Sequence, residues 1–284
     1  MGYDRPQSKW LARDAMRGAY PHPMLVTLVY VLLTGILGSI VMNFVAEPFQ
    51  AAYFYLTKTD YEVNEILTAI FTPQRIAVIA AMELLLALYR WVMDYGYVSY
   101  TLRLARRERP GYRNLLDGFY TIGRALAVNV LSALFVLLWG LIGMAVYAGF
   151  VFLAYLTHSS MLILVGALIM LVWMIAVSYR YRLAVYFLLD HPEMGALEAI
   201  GHSKRAMRGN VTALFVQDLS FLGWLLLTPF TLGILSLWIG PYMGAAEANF
   251  YSWVVYGSSR SGPSPAAGAD PTADFESDRH CNFR

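Results

Sequence analysis

Three residues in one strongly apolar stretch have the types and spacing to act together: Glu83, Arg90 and Asp94. At about 100° per residue, offsets of seven and eleven return to within about 20° of one direction, so a helix carries all three on one face. Arg90 and Asp94 have the i, i+4 separation of an intrahelical ion pair. Two further acids in apolar surroundings, Asp218 and Glu247, could each partner Arg90. Such charges suit one of two roles. They could line a polar pathway or hold a charged solute at a bundle centre, or they could form a clasp that fixes helix register. A lone charge at mid-bilayer costs roughly 2.5 kcal/mol even on the most lenient scale, so these side chains should face the protein interior or a wet cavity.

Other chemistry is sparse. The sequence has no GxSxG, HExxH or Walker loop. His191 and His202 lack metal-ligand spacing, and His158 stands apart. No catalytic residue, metal site or cofactor is expected, and the chain reads as non-enzymatic. Cys281 is the single cysteine, which leaves redox context open. Asn210-Val211-Thr212 has the form of a glycosylation sequon but falls on the side assigned below to the cytoplasm. Ser236, Gly240, Gly244, Ala248 and Ser252 recur every fourth residue. This small-residue ridge lets a second helix approach closely, either within the bundle or in a homodimer. Pro241 interrupts it and frees the Leu237 carbonyl, which predicts a kink.

The elements that must position these residues follow from composition. Hydrophobic residues make up 58% of the 284 and charged residues 14%, against about 25% charged in soluble domains. That balance, with 20 Tyr, 15 Phe and 7 Trp, excludes an ordinary soluble enzyme, a disordered protein and a nucleic-acid binder. A hydrocarbon core of about 30 Å needs about 20 helical residues. Six segments fit: 24–44, 76–98, 125–150, 160–178, and two within 211–255, separated by a turn at Thr228-Pro229 and Gly233.

Charge tests this threading. With the N-terminus inside, eighteen of the 21 Lys and Arg fall on the cytoplasmic side, only Lys58 and Arg75 fall outside, and Arg90 lies within a span. The expected fold class is therefore all-α: a polytopic transmembrane bundle of about six spans with both termini cytoplasmic.

The expected organisation has three parts. Residues 1–23 form a basic amphipathic segment in which Trp10, Leu11 and Met16 oppose Lys9, Arg13 and Arg17, as in a helix on the inner membrane surface. They run into an apolar stretch without a small-residue cleavage site, so a retained first span is expected rather than a cleaved signal peptide, and no lipid anchor is expected. Residues 24–256 form the transmembrane domain. The outer segment 47–73, rich in tyrosine and carrying Asp60, Glu62 and Glu65, suits the headgroup surface. Residues 257–284 read as a disordered tail of Gly, Pro, Ser and Ala. Tyr95-Gly96-Tyr97 and Tyr179-Arg180-Tyr181 each precede a basic linker with a proline and then a span. They fit either a parallel internal repeat or the tyrosine enrichment common to membrane boundaries. The expected partner is the bilayer, with anionic headgroups meeting the basic loops around Arg106, Arg107 and Arg109.

Longer motifs carry a resemblance. The run Ser203-Lys204-Arg205-Ala206-Met207-Arg208-Gly209, then Leu219-Ser220-Phe221-Leu222-Gly223-Trp224, Pro241-Tyr242 and Ala248-Asn249-Phe250-Tyr251, resembles the bacterial domain-of-unknown-function 975 family of integral membrane proteins. Ala12-Arg13-Asp14-Ala15-Met16-Arg17-Gly18, Leu102-Arg103-Leu104-Ala105-Arg106 and Gly118-Phe119 extend it over residues 8 to 256. The family is similar to the membrane domain fused to glycerophosphodiester phosphodiesterases, but this sequence has no soluble region large enough for the catalytic barrel. The resemblance implies a multi-pass protein of the bacterial plasma membrane and supplies no activity.

Overall fold

Long apolar runs punctuated by proline at their starts dictate the larger helices. The computed structural model describes residues 3–58 and 72–257, with the side chains of 47–58 excluded. The anticipated outer segment beyond Lys58 and the tail beyond Gly257 lie outside the described residues. Every regular element among the described residues is helical. Helix α1 (Arg5–Arg17) starts where Asp4 accepts the Gln7 amide, with Pro6 in its first turn. Then come α2 (Pro23–Lys58) and α3 (Pro73–Ala105), which is capped by Thr72. A 3₁₀ turn at Tyr112–Leu116 and α4 (Asp117–Tyr120) lead into α5 (Ile122–Thr157) and α6 (Met161–Tyr179). Next follow α7 (Ala184–Asp190), α8 (Ala196–Ala206), α9 (Val211–Leu219), α10 (Leu222–Leu227) and α11 (Ser236–Tyr256).

Four stretches are long and apolar enough to cross a bilayer: Pro23–Ala46, Pro73–Ala105, Ile122–Thr157 and Met161–Asp190. They are the first four expected spans. The last two are not among them: the fifth is interrupted, and the sixth, α11, is a continuous helix but does not reach the same hydropathy. α9 ends at Leu219, where the Phe221 amide turns back to the Asp218 carbonyl, and α10 has only six residues. Taken with α8, the α9–α10 stretch would be one element bent by 84°. The turn expected at Thr228 to Gly233 is present, with Leu232 and Gly233 both at positive φ and the Gly233 amide bonded to the Thr228 carbonyl. α11 runs on through Pro241.

Burial is uneven along the spans. The facing pair α5 and α6 presents Leu137, Leu141, Leu164, Leu168 and Leu171 outward, which is the surface expected of helices solvated by lipid rather than water. The packed core lies at the other end. There, α7 and α8 with their capping residues Leu183 and Met207 bury Ala184, Phe187, Leu188 and Ile200 beside Ala125, Val128, Phe250 and Tyr251. The segment 180–210, read from sequence as a basic cytoplasmic linker, is thus the centre of the core. A second cluster joins Ala12 and Met16 of α1 to Tyr100, Leu104, Leu115, Phe221 and Tyr242. The apolar face of α1 is therefore covered by protein, while Trp10 stays exposed.

Two glycines set the tightest contacts. A Cβ at Gly96 would stand 2.0 Å from the Leu115 carbonyl oxygen, and one at Gly118 would stand 2.0 Å from that of Val92. α3 and the turn after it therefore meet backbone on backbone. Arg180, the counterpart of Gly96 in the proposed tyrosine repeat, is exposed, and its carbonyl accepts from the Ser203 hydroxyl. A different pair matches better. α1 and α8 both run into Ala-Met-Arg-Gly, burying Ala15 with Met16 and Ala206 with Met207, and exposing Arg17 and Arg208.

Candidate functional site

The five anticipated charges separate into two places. On α3, Glu83 and Arg90 are exposed, and the Arg90 guanidinium lies against Gly38 of α2. Asp94 accepts a hydrogen bond from Tyr30, which stacks on Tyr97 at 4.5 Å. Among the described residues there is no Arg90–Asp94 ion pair: the tyrosine hydroxyl of α2 occupies the carboxylate instead. Asp218 and Glu247 do come together, but not with Arg90. Their cation is Arg182.

Arg182 reaches the interior because α6 ends early. The amides of Arg180, Tyr181 and Arg182 turn back three residues, to Val177, Ser178 and Tyr179, and this tightened turn swings the side chain inward. Its Nε and Nη2 donate to Glu247 Oε1 and Oε2 at 2.7 and 3.0 Å, a two-pronged contact. Its Nη1 donates to Asp218 Oδ2 at 2.6 Å. The Tyr179 hydroxyl donates to the same oxygen at 2.6 Å. Asp218 sits in the last turn of α9, and Glu247 lies among Ala245, Ala246 and Ala248 of α11, whose small side chains admit the arginine. One guanidinium thus ties together three helix segments, and the cluster carries two carboxylates for one cation.

A second clasp lies where α3, α7 and α11 end. Asp190, at the end of α7, accepts from Arg106 at 2.7 Å, Tyr251 at 2.9 Å and Tyr256 at 3.2 Å. Burial works against the Arg106 charge, but the hydrogen bond and charge of Asp190 outweigh it and hold the guanidinium protonated beyond its ordinary range. Arg124 donates to the carbonyls of Leu188 and His191 at 2.9 and 3.0 Å, closing the C-terminal end of α7. Asp117 accepts from Ser99 at 2.6 Å and Asn114 at 3.1 Å. On α1, burial, with Arg13 and Arg5 nearby, holds the Lys9 ammonium below its ordinary value, and Lys9 sits 4.2 Å over the Phe221 ring.

The small-residue ridge of α11 faces the bundle at its glycines. A Cβ at Gly240 would meet the Tyr97 hydroxyl and Thr27, and one at Gly244 would meet Thr101 at 2.6 Å. Ala248 is fully buried; Ser236 and Ser252 are half-buried, and the Ser252 hydroxyl donates to the Ala248 carbonyl. Among the described residues no group of three His, Cys, Asp or Glu could hold a metal ion.

Sequence reasoning missed Arg182, Arg106 and Asp190 because each flanks a span, where charge reads as solvated. The available signal was the apolar run Leu183 to Leu189, bounded by Arg182 and Asp190, inside a supposed polar linker.

The arrangement of these clasps falls wholly within residues 1–256, which match the family described as protein of unknown function, DUF975. The chain belongs to the DUF975 family. No curated protein and no solved structure matches it. The family description carries no activity, so the chemistry of this DUF975 chain has to be read from its own residues. Those residues show charges consumed by each other in the core and basic side chains left exposed at its edge.

Proposed function

We propose that this protein is a non-enzymatic, multi-pass component of the bacterial plasma membrane that acts as a scaffold or envelope-associated factor, docking its basic inner face on anionic lipid headgroups. In this reading both termini are cytoplasmic and α11 completes the bundle as the last crossing. The observation that carries it is the Arg182–Asp218–Glu247 cluster, whose guanidinium hydrogen bonds go to the two carboxylates and so brace helices rather than await a solute. Meanwhile Arg5, Arg13, Arg17, Arg107, Arg109 and Arg113 are exposed on α1 and the loop after α3, where each cation near an anionic surface is worth about 1 kcal/mol. The test is co-flotation of the full chain, reconstituted in nanodiscs of neutral lipid, with vesicles of phosphatidylcholine alone or with phosphatidylglycerol added. Preference for the anionic vesicles, lost in high salt, supports the reading. Equal flotation with both at low salt defeats it.

One observation favours a second reading, a small-solute transporter. The chain is broken on both sides of the cluster, after Tyr179 and after Leu219, as in carriers that bind at helix interruptions. Solute flux in proteoliposomes that falls in Arg182→Gln and Glu83→Gln variants would select it. Flux indistinguishable from protein-free vesicles selects the scaffold.

A further inference from the structure

The loop that leaves α3 holds two arginines in a conformation that side chains avoid. Arg107 has φ 60° and Arg109 φ 54°, the left-handed region where glycine is the ordinary occupant. Arg107 closes a helix end in which the Glu108 amide bonds to the Arg103 carbonyl and the Arg107 amide to that of Leu104. That motif calls for glycine at the position Arg107 fills. Charge complementing the helix dipole does not account for the choice, because Arg103 and Arg106 already supply cations to the same terminus.

Both strained arginines line one cavity. It measures about 210 Å³ and lies between the end of α1 and the end of α3, bounded by Asp14, Ala15, Gly18, Leu104, Arg107 and Arg109. That is smaller than the usual site for a drug-sized ligand or cofactor. On its wall the Asp14 carboxylate accepts from Arg107. Both partners of that pair are partly exposed, so the pair contributes little and exchanges cheaply for another anion. Arg109 has no ion pair among the described residues. A compact anion with several oxygens, able to take two guanidinium forks at once, fits this inventory better than a carboxylate does.

We infer that the cavity between α1 and α3 binds a phosphate group through Arg107 and Arg109, with Asp14 holding the site closed until the phosphate displaces it. The inference rests on the proposed lipid-facing role of this surface but names a single saturable site rather than a diffuse basic patch. The phosphate could be that of an inner-leaflet phospholipid or of a soluble phosphate ester; the chemistry recognised is the same.

The test uses the full chain in neutral detergent, titrated calorimetrically with short-chain phosphatidylglycerol and, in a separate arm, with glycerol 3-phosphate. Arg107→Gly and Arg109→Gln should each weaken binding about tenfold, the scale of one lost charge-assisted contact. Arg107→Gly relieves the backbone, so its thermal midpoint should stay equal or rise, which separates lost binding from lost folding. Asp14→Asn removes the competing carboxylate and should tighten binding by up to about fivefold. Arg208→Gln, an exposed charge outside the cavity, should change affinity less than about twofold. Binding in the lipid arm alone assigns the headgroup; binding in both arms assigns the phosphate ester generally. Losses at Arg107 and Arg109 no larger than at Arg208, or no saturable binding in either arm, overturn the site. Such a result leaves the vesicle preference standing, whereas equal flotation with neutral vesicles removes the lipid reading without touching a site that binds the soluble ester.

Discussion

Replacing Arg182 with glutamine should be among the most damaging single changes in the chain. It removes three hydrogen bonds of 2.6 to 3.0 Å and leaves Asp218 and Glu247 facing each other without a cation. Their side chains are only 18% and 15% exposed, so water offers little relief. Breaking a buried pair from one side costs about 3–5 kcal/mol. The arginine itself is 34% exposed, which puts the expectation at the lower end, about 3 kcal/mol. At about 2–4 °C per kcal/mol for a domain of this size, the midpoint should fall by about 6–12 °C. The assay is tryptophan-detected thermal unfolding of the purified full chain in detergent. Glu247→Gln alone should cost less, since it removes one of two carboxylates competing for a single guanidinium. The double variant should lose well under the sum of the two, with a coupling of about 2 kcal/mol. Costs that add to within about 0.5 kcal/mol would show that the three residues do not act as one unit.

Further outcomes follow from the glycine contacts and from Tyr3, which precedes α1. Gly96→Ala and Gly118→Ala each drive a Cβ to within 2.0 Å of a carbonyl oxygen, so both should fail to give a monodisperse peak on size exclusion, while Gly223→Ala, with open space around it, should elute normally. Burial, with Asp218 and Asp4 nearby, pushes the Tyr3 hydroxyl above its ordinary value near 10. The folded protein therefore keeps that proton after the unfolded chain has released it, and the stability it contributes is present below about pH 10 and lost as pH rises further. Tyr3→Phe should flatten the alkaline limb of a midpoint-against-pH curve; an unchanged limb would mean that Tyr3 is not the group responsible.

Much of the scaffold was legible because it depends on run length. Residues 24–44, 76–98, 125–150 and 160–178 are apolar over enough turns that no other placement suits them, and the reversal near Gly233 was marked by Thr228-Pro229. The interior of the packed half was not legible. Arg180, Arg182, His191, Glu193, Glu198, Lys204 and Arg205 make the segment 180–210 look solvated, yet its helices bury Phe187, Leu188 and Ile200 against α5 and α11. A charge count registers how polar a stretch is and not whether its charges have partners. The same blindness affected the cluster. Asp218 and Glu247 stood out as buried acids, but their cation lies 36 and 65 positions away, at a helix break that no periodicity announces.

The contact of bare backbone at Gly96 and Gly118 has a mechanical consequence. With no side chain between α3 and the segment that follows it, neither can slide along the other without a steric collision, so the two are held in register. α5 and α6 instead meet through side chains, since a Cβ at Gly166 would stand 2.7 Å from Phe150 and one at Gly143 would stand 2.8 Å from Met170, and their outward surface is coated with leucine. In bilayers of different thickness that hairpin is the part expected to adjust by tilting, and the spacing of the arginines beside the Gly96 and Gly118 contacts should stay the same.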